Sequence, residues 1–177
     1  LDRYITDVEE GFRAVVASAD ENGAHPAMTR LLRSLSFHHV CVLNSKNQVT
    51  QSLIHQPAGK KPLGISMTTR RNLRDLATGF KGDILISDLM QDEGTSYFYL
   101  LKRLEHGRLA VGVLSTQFIR GVQRSIIFGQ RGHSMIVDKK GRVVAHPKKE
   151  WERTAKDVSK ISIVQKMMRG DSGVMTF

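Results

Sequence analysis

The sequence lacks several features of common protein classes: it holds one cysteine, few aromatic residues and no long apolar run. The single cysteine, Cys41, cannot form an intramolecular disulfide, and its apolar neighbours predict a buried structural thiol. Aromatic residues make up only 6% of the 177 residues, which is scarce for a surface that stacks nucleic-acid bases. No apolar stretch approaches the roughly 20 residues that cross a bilayer. Because the first residue is not Met, we expect a fragment of a longer chain, with any membrane segment outside it.

Sequence signatures of catalysis and metal binding are missing as well. The seven histidines show no ligand spacing such as His-x-x-x-His, and there is no phosphate-cradling glycine loop and no nucleophile elbow. His38 and His39 are adjacent on a predicted strand, so we expect them to point to opposite faces and not to share a metal. We therefore predict that this fragment is not an enzyme and uses no cofactor or metal. A kinase or cyclase further along the intact chain is compatible with this prediction.

Positive charge, in contrast, is abundant. Lys and Arg number 27 against 17 Asp and Glu, which gives a net charge of +10 at pH 7. The basic residues are spread along the chain, and the tight runs are short, at 59–61, 70–74, 138–142 and 148–149. This distribution favours attraction to anionic small molecules or membrane headgroups at least as much as to nucleic acid. We predict no nucleic-acid partner.

Three segments of the first half have helical patterns. Apolar spacing predicts a helix over residues 1–20, with one apolar stripe. The stripe consists of Leu1, Ile5, Val8, Phe12, Val15 and Ala19. A shorter helix is predicted at 27–35, and a third at 68–79, where Thr68 or Thr69 can cap the start.

Strand patterns occupy much of the rest. Residues 38–53 are typical of two strands around the turn "NSKN", and a loop with two prolines follows at 54–64. Three strands in a meander are predicted at 82–90, 96–104 and 108–114. The remaining chain adds a helix at 115–127, a hairpin at 136–147, a loop and a helix within 149–173, and the start of a strand at 173–177.

The hairpin at 136–147 repeats an earlier one. "VLNSKNQV" (42–49) and "IVDKKGRV" (136–143) share one pattern at an offset of 94 residues, and both follow a predicted helix. The pattern indicates two copies of one module, because a repeat of this kind governs architecture. The first copy would complete a five-stranded antiparallel sheet, and the second would be incomplete or unusually small. Chance similarity of two hairpins is the alternative.

The second hairpin also carries a family resemblance. With a long N-terminal helix and two tandem sheet modules, "VDKKGRVVAHP" resembles the opening of the second module of double Cache sensor domains, through Asp138, Gly141, His146 and Pro147. "GDSGV" (170–174) resembles the glycine-containing start of that family's next strand. These domains are the PAS-like, extracytoplasmic ligand-binding regions of bacterial chemoreceptors, sensor histidine kinases and cyclic-di-nucleotide enzymes. The resemblance implies an α+β fold: a long N-terminal helix, a PAS-like antiparallel five-stranded sheet module, then the start of a second PAS-like module.

The resemblance also implies a domain plan and a role. Residues 1–35 would form the N-terminal helical region, 36–128 the membrane-distal ligand-binding module, and 129–177 an incomplete membrane-proximal module. The fragment would be the periplasmic or extracellular part of an inner-membrane protein in chemotaxis or two-component signalling. It would bind a small molecule and relay a helix displacement through transmembrane segments outside this sequence. A homodimer could form through the N-terminal helix.

In the amino-acid-binding branch of that family, one helix carries Arg-x-Trp-Tyr, which holds the ligand carboxylate. Here Arg71 stands at the Arg position, Leu73 at the Trp position and Arg74 at the Tyr position. By the resemblance, a small carboxylate or other anion would be held by Arg71 and Arg74, whose planar forks bind carboxylates bidentately.

The same branch holds the ligand amine with aspartates. "SDLMQD" (87–92) resembles its Ser-Asp-Pro-Tyr-x-Asp run, with Asp88 and Asp92 retained and Met90 in place of Tyr. Val113 falls where the last aspartate would be, so an amine would lack one counter-charge and an anion is favoured over an α-amino acid.

Simpler interpretations stay open. Arg71 and Arg74 could belong to a solvated helix face, and Asp88 and Asp92 could fix a turn. Tyr97 and Tyr99 lie two apart on a strand, so both point to one face and could line a pocket or pack the sheet. The alternative function is a cytoplasmic PAS- or profilin-like interaction module whose basic face binds an acidic partner or nucleic acid.

Overall fold

The computed structural model describes residues 2–19, 24–54, 64–125 and 134–171. The chain divides into two compact units: the first comprises Leu1–Glu93 and Tyr97–Ser115, the second Gly94–Ser96 and Thr116–Phe177. The predicted domain boundary at residues 128 and 129 lies outside the described residues and stays a prediction. Leu1 of the helical stripe, most of the loop predicted at 54–64 and the strand predicted at 173–177 also lie outside them.

Helices and strands of the first unit follow the predicted order. Its α-helices are α1 (Asp2–Ser18), α2 (Pro26–Ser34) and α3 (Met67–Gly79). Its strands are β1 (Phe37–Leu43), β2 (Val49–Ser52), β3 (Leu85–Ile86), β4 (Met90–Asp92), β5 (Thr95–Arg103, whose first two residues belong to the second unit) and β6 (Leu109–Ser115). Within the described ranges, no helix combines the length and the apolar character needed to cross a membrane.

The strands form one antiparallel sheet in the order β2-β1-β6-β5-β3, and β4 pairs with β5. The predicted α+β fold with an antiparallel sheet is therefore confirmed, with six strands where five were predicted. The strand predicted at 82–90 is instead split into β3 and β4. The strand is interrupted after β3, at Ser87. The Ser87 side-chain oxygen accepts the Tyr99 backbone N–H at 3.0 Å, while the Ser87 backbone N–H donates to the Tyr99 carbonyl at 2.8 Å.

Both faces of this sheet are buried. On one face Val40 and Val42 pack with α1 and α2, and on the other Cys41 and Leu43 pack under α3. The α1 stripe is confirmed, since Val8, Phe12 and Val15 are completely buried; Ile5 and Ala19 are partly buried beside them. The apolar face of α1 is thus used on its own sheet.

Close packing between α1 and the sheet depends on one glycine of β6. The Phe12 and Phe37 rings stack at 6.1 Å directly over Gly112. A Cβ atom at Gly112 would lie 2.7 Å from the Phe37 ring and 3.0 Å from the Phe12 ring. Any larger residue there would push α1 away from the sheet.

The second unit contains α4 (Gln117–Ser125), β7 (Ile136–Val137), β8 (Val143–Ala145), α5 (Lys149–Arg153) and α6 (Ser162–Met168). Strands β7 and β8 form the hairpin predicted at 136–147. A small core of Val143, Val158 and Val164 lies beneath it, with Trp151 packed at its side. The stretch 149–173, predicted as a loop and one helix, contains the two helices α5 and α6 in its described part.

The two hairpins of the predicted repeat have the same turn. In the first, Asn44 Oδ1 accepts the backbone N–H groups of Lys46 (2.9 Å) and Gln48 (3.0 Å). In the second, Asp138 Oδ1 accepts the N–H groups two and four residues further on, both at 2.9 Å. In both, the backbone N–H of the first turn residue also bonds the carbonyl of the fifth at 2.9 Å. The 94-residue repeat therefore extends to the hydrogen bonds of the turn.

The fourth turn position has positive φ in both copies, +62° at Asn47 and +75° at Gly141. Asparagine tolerates this left-handed region, whereas the second copy has an added constraint. A Cβ atom at Gly141 would lie 2.7 Å from the backbone Cα of Ser159. Glycine is thus required in the second turn for two separate reasons.

We predict that Gly141→Ala destabilises the second unit by roughly 2–4 kcal/mol, through backbone strain and the clash with Ser159 together. The matched control is Gly170→Ala, at φ +89° with no atom within 4 Å of the added Cβ, which should cost about 1 kcal/mol. Urea unfolding followed by the fluorescence of Trp151, the only tryptophan, reports on this unit. Equal losses in the two variants would contradict the close-approach argument.

Candidate ligand-binding site

Helix α3 covers one face of the sheet. It buries Thr69, Leu73 and Ala77, which lie at helical spacing on its inner side. The buried residues of this α3-side cluster are Cys41, Leu43, Ile65, Leu73, Ala77, Tyr97, Tyr99, Leu101, Leu109, Val111 and Val113, with Leu85 and Met90 partly buried against it. The structure thus brings together the predicted site residues Leu73, Met90, Tyr97, Tyr99 and Val113.

A buried carboxylate fixes the start of α3. Asp92 accepts the Ser66 backbone N–H at 3.0 Å and the Thr69 hydroxyl at 3.2 Å through its two oxygens. The helix is capped by Ser66, whose hydroxyl oxygen accepts the Thr69 N–H at 3.2 Å, so the cap predicted at Thr68 or Thr69 is wrong by two or three residues. Asp92 also gains from lying at the positive end of the helix dipole. This contact ties α3 to β4.

Tyr99 brings a hydroxyl to the same place. Its side chain is completely buried, and its hydroxyl lies close to the Asp92 carboxylate but, within the described ranges, meets hydrogen-bond geometry with no acceptor or donor. The pKa of this phenol is raised, first by burial and then by the Asp92 carboxylate beside it. The Tyr97 and Tyr99 rings meet edge to face at 6.3 Å. Both tyrosines pack the sheet, and Tyr99 also leaves a buried donor unused.

His38 and His39 are arranged differently from the sequence prediction. Strand pairing places His39 opposite Val113 and Val113 opposite Tyr99, so these side chains form one row on the α3 face. The His38 ring lies 5.9 Å from the ring of Tyr97, on the same face. The prediction of opposite faces is wrong because a bulge between Phe37 and His39 shifts the alternation by one residue.

His39 is a functional candidate that the sequence reasoning missed. It is 4% exposed, and its Nδ1 has no hydrogen-bond partner in the described part of the chain. Burial lowers the pKa of its imidazole, and the neighbouring His38 lowers it further. The available signal was a pair of histidines inside an otherwise apolar strand. The row therefore has polar atoms at both ends, His39 Nδ1 and the Tyr99 hydroxyl.

The two predicted arginines occupy different faces of α3. Arg71 is exposed, on the side of the helix away from Leu73, and no partner for it is found within the described residues. Arg74 donates from Nε to Asn47 Oδ1 at 2.5 Å and from Nη2 to the Asn44 carbonyl at 2.6 Å. A third bond, from Nη1 to the Gly107 carbonyl at 2.9 Å, completes its contacts. Arg74 thus clamps α3 to two sheet turns, and ligand binding by either arginine stays a prediction.

The remaining predicted residue, Asp88, is half-buried between β3 and β4, and its carbonyl accepts the Ser87 hydroxyl at 2.7 Å. Its role in binding also stays a prediction. Cys41 is buried as predicted, and burial raises the pKa of its thiol to about 12. Across the described ranges, no cluster of three or more His, Cys, Asp or Glu side chains could hold a metal ion.

We predict that buried His39 makes stability depend on pH. Its folded-state pKa lies below the unfolded value of about 6.5, so the unfolded chain takes up the proton first. Its contribution is therefore present above about pH 6.5 and lost as the pH falls. Between about pH 7.5 and 5.5, His39→Gln should lose less unfolding free energy than the wild type, while His106→Asn, at an exposed histidine, should match the wild type. Parallel urea-unfolding curves for wild type and His39→Gln would refute this.

Among comparisons with known proteins, the one with solved structures finds similar folds. No protein-family model and no curated protein matches the sequence. The structure is similar to the ligand-binding domain of the Pseudomonas aeruginosa PAO1 amino acid chemoreceptor PctB, solved with L-Gln, with a TM-score of 0.51 and 16% identity over 90% of this chain and 70% of that one. It is equally similar to that of the chemoreceptor PctC, solved with GABA, with a TM-score of 0.51 and 18% identity over 90% and 71%.

Both neighbours are described as ligand-binding domains. Because sequence identity to both neighbours is below 20%, the similarity is one of fold. The fold predicted from the hairpin motif and the repeat is confirmed to this extent: the chain shares the fold of these two ligand-binding domains.

Proposed function

We propose that the chain is the extracytoplasmic ligand-sensing domain of a bacterial transmembrane signalling receptor, a chemoreceptor or a sensor histidine kinase. The observation that carries this proposal is the fold shared with two amino acid chemoreceptor ligand-binding domains over 90% of the chain. The absence of catalytic motifs from the sequence fits a domain that binds without converting its ligand.

The ligand binds, in this proposal, on the α3 face of the sheet. Small-molecule sites are mostly apolar with a few placed polar groups, and the α3-side cluster has that composition. Its polar groups are the carboxylate of Asp92, the hydroxyl of Tyr99 and Nδ1 of His39. The last two are unsatisfied within the described residues, which costs about 1–3 kcal/mol each. A ligand with hydrogen-bonding groups would recover that free energy.

A small carboxylate or other anion is the ligand class we propose. Val113 stands in the row between His39 and Tyr99, where a further aspartate would be needed to balance a ligand amine. Arg74 already has three acceptors, so Arg71 is the available cation of the predicted pair. Since Arg71 lies on the outer face of α3, it reaches a ligand in the cluster only if α3 moves on binding.

We propose that the signal is relayed through the sheet, because helices cover both of its faces. Helix α1 packs through Val8, Phe12 and Val15 on the face opposite α3. A displacement of the sheet by ligand on the α3 face is therefore passed to α1 and, in our proposal, to a transmembrane helix. Couplings of about 1–3 kcal/mol are enough for such a switch. A homodimer through α1 would have to use its polar outer face, since the apolar stripe is buried.

A thermal-shift screen of small carboxylates, amino acids and amines identifies the ligand, and calorimetry then tests the site. We expect Tyr99→Phe to keep the melting temperature, because it removes an unsatisfied hydroxyl, and to weaken binding by roughly 5- to 100-fold. The control is Tyr4→Phe, on the opposite face, where the hydroxyl donates to the Leu35 carbonyl at 2.9 Å. Affinity should stay unchanged in Tyr4→Phe.

Two results would count against the proposal. Equal ligand affinities of the wild type and Tyr99→Phe would rule out the α3 face as the binding site. Failure of every small molecule to stabilise the chain, together with steeply salt-dependent binding of arbitrary nucleic acid, would favour the cytoplasmic interaction module instead.

The arginines of α3 give a separate prediction. Arg71→Ala should leave the melting temperature unchanged and weaken binding of the carboxylate found in the screen. Arg74→Ala should lower the melting temperature, because three hydrogen bonds to sheet turns are lost. Calorimetry and thermal melting of both variants separate the two roles. Unchanged affinity in Arg71→Ala would exclude Arg71 from the site.

A further inference from the structure

The second unit contains a cavity of about 610 Å³ that no part of the proposed function uses. All its lining residues belong to that unit, and none belongs to the α3-side cluster. The lining comes from the 94–96 segment, from α4 and from α5. The volume suits a small molecule.

The wall of the cavity is strongly basic. Four cationic side chains line it, Arg120 and Arg124 from α4 and Lys149 and Arg153 from α5. Two glutamates, Glu150 and Glu152, are the acidic side chains of the lining. The cavity therefore carries two positive charges in excess, contributed by two separate helices.

The excess charge lies on Arg124 and Lys149, because each glutamate of the lining contacts another cation. Glu152 is buried, and its Oε1 accepts the His146 backbone N–H at 3.0 Å while its Oε2 lies 3.2 Å from Arg120 Nε. Glu150 is exposed and lies 3.9 Å from Lys148, which is outside the lining. Arg124 and Lys149 have no ion-pair partner within the described residues. Their charges are available to a ligand.

Among the described residues, Ser96 contributes a buried polar atom without a hydrogen-bond partner, and Arg120 contributes one that is held by an ion pair alone. Ser96 is 5% exposed, and its hydroxyl has no hydrogen-bond partner in the described ranges. Nε of Arg120 is buried and, although close to Glu152, lacks hydrogen-bond geometry with it. Buried polar groups are nearly always paired, so the Ser96 hydroxyl in the lining, unpaired within the described chain, indicates an acceptor that binds in the cavity.

We propose that this cavity is a second ligand site, specific for a small dianion whose carboxylate or phosphate oxygens accept from Ser96 and the α4 and α5 cations. Guanidinium forks bind such oxygens bidentately, and a dianion matches the two excess charges of the wall. The site shares no residue with the proposed ligand site of the first unit, so a negative result at one site does not refute the other.

Calorimetric titration of the 177-residue chain at constant ionic strength tests the proposal, with inorganic phosphate and succinate as probes and acetate as the monoanion reference. We expect saturable one-site binding of at least one dianion and weaker binding of acetate. Arg124→Gln and Lys149→Gln should each lower the affinity for the dianion by about tenfold or more. Lys166→Gln removes the same charge from α6, outside the lining, and should leave the affinity unchanged.

Ser96→Ala provides a test without a charge change. It should weaken dianion binding while the melting temperature holds, because the hydroxyl has no partner to lose in the described structure. Saturation by phosphate alone or by succinate alone would each support the site and identify the group it prefers. No saturable binding of either below ~10 mM, or an equal loss of affinity in Lys166→Gln, would overturn it.

Discussion

The sheet of the first unit is apolar on both faces, and the rest of that unit follows from the need to cover both. Antiparallel sheets commonly leave one face to water, but in β1 residues on both sides of the strand are buried. Helices α1 and α2 cover one face and α3 the other. A sheet between two helical layers transmits displacement, because close-packed interiors move as units rather than deform. In our proposal, ligand binding on the α3 face and output through α1 both follow from this packing requirement.

The helices on the two faces of the sheet are held by different kinds of interaction. Helix α1 is anchored by apolar burial, with Val8, Phe12 and Val15 completely buried. Helix α3 buries fewer large side chains and is fixed largely by polar contacts: Asp92 at its start and Arg74 at the sheet turns. Hydrogen bonds are directional and can be exchanged for bonds to a ligand, whereas apolar area can only be exposed at a cost of about 25 cal/mol per Å². The α3 side is therefore the side that can respond.

The sequence predicted the features that local physics determines. The 94-residue repeat led to two turns with the same hydrogen bonds, and the α1 stripe was correct because amphipathic spacing alone specifies a helix face. Features set by tertiary pairing were missed. The bulge that turns His38 and His39 to one face depends on register with β6, and the Ser66 cap depends on Asp92, 26 residues away. The sequence named Leu73, Tyr99 and Val113, which lie in one cluster, while their role in binding stays a prediction. A motif match could not show which side of α3 Arg71 occupies.

The central claim is that the α3 face of the sheet receives the ligand. Hydrogen–deuterium exchange of the 177-residue chain, with and without a saturating ligand from the screen, tests it most directly. The account predicts slower exchange at the amides of α3 and β5 on binding, with a smaller change in α1. Protection confined to other segments, with α3 and β5 unchanged, would contradict it.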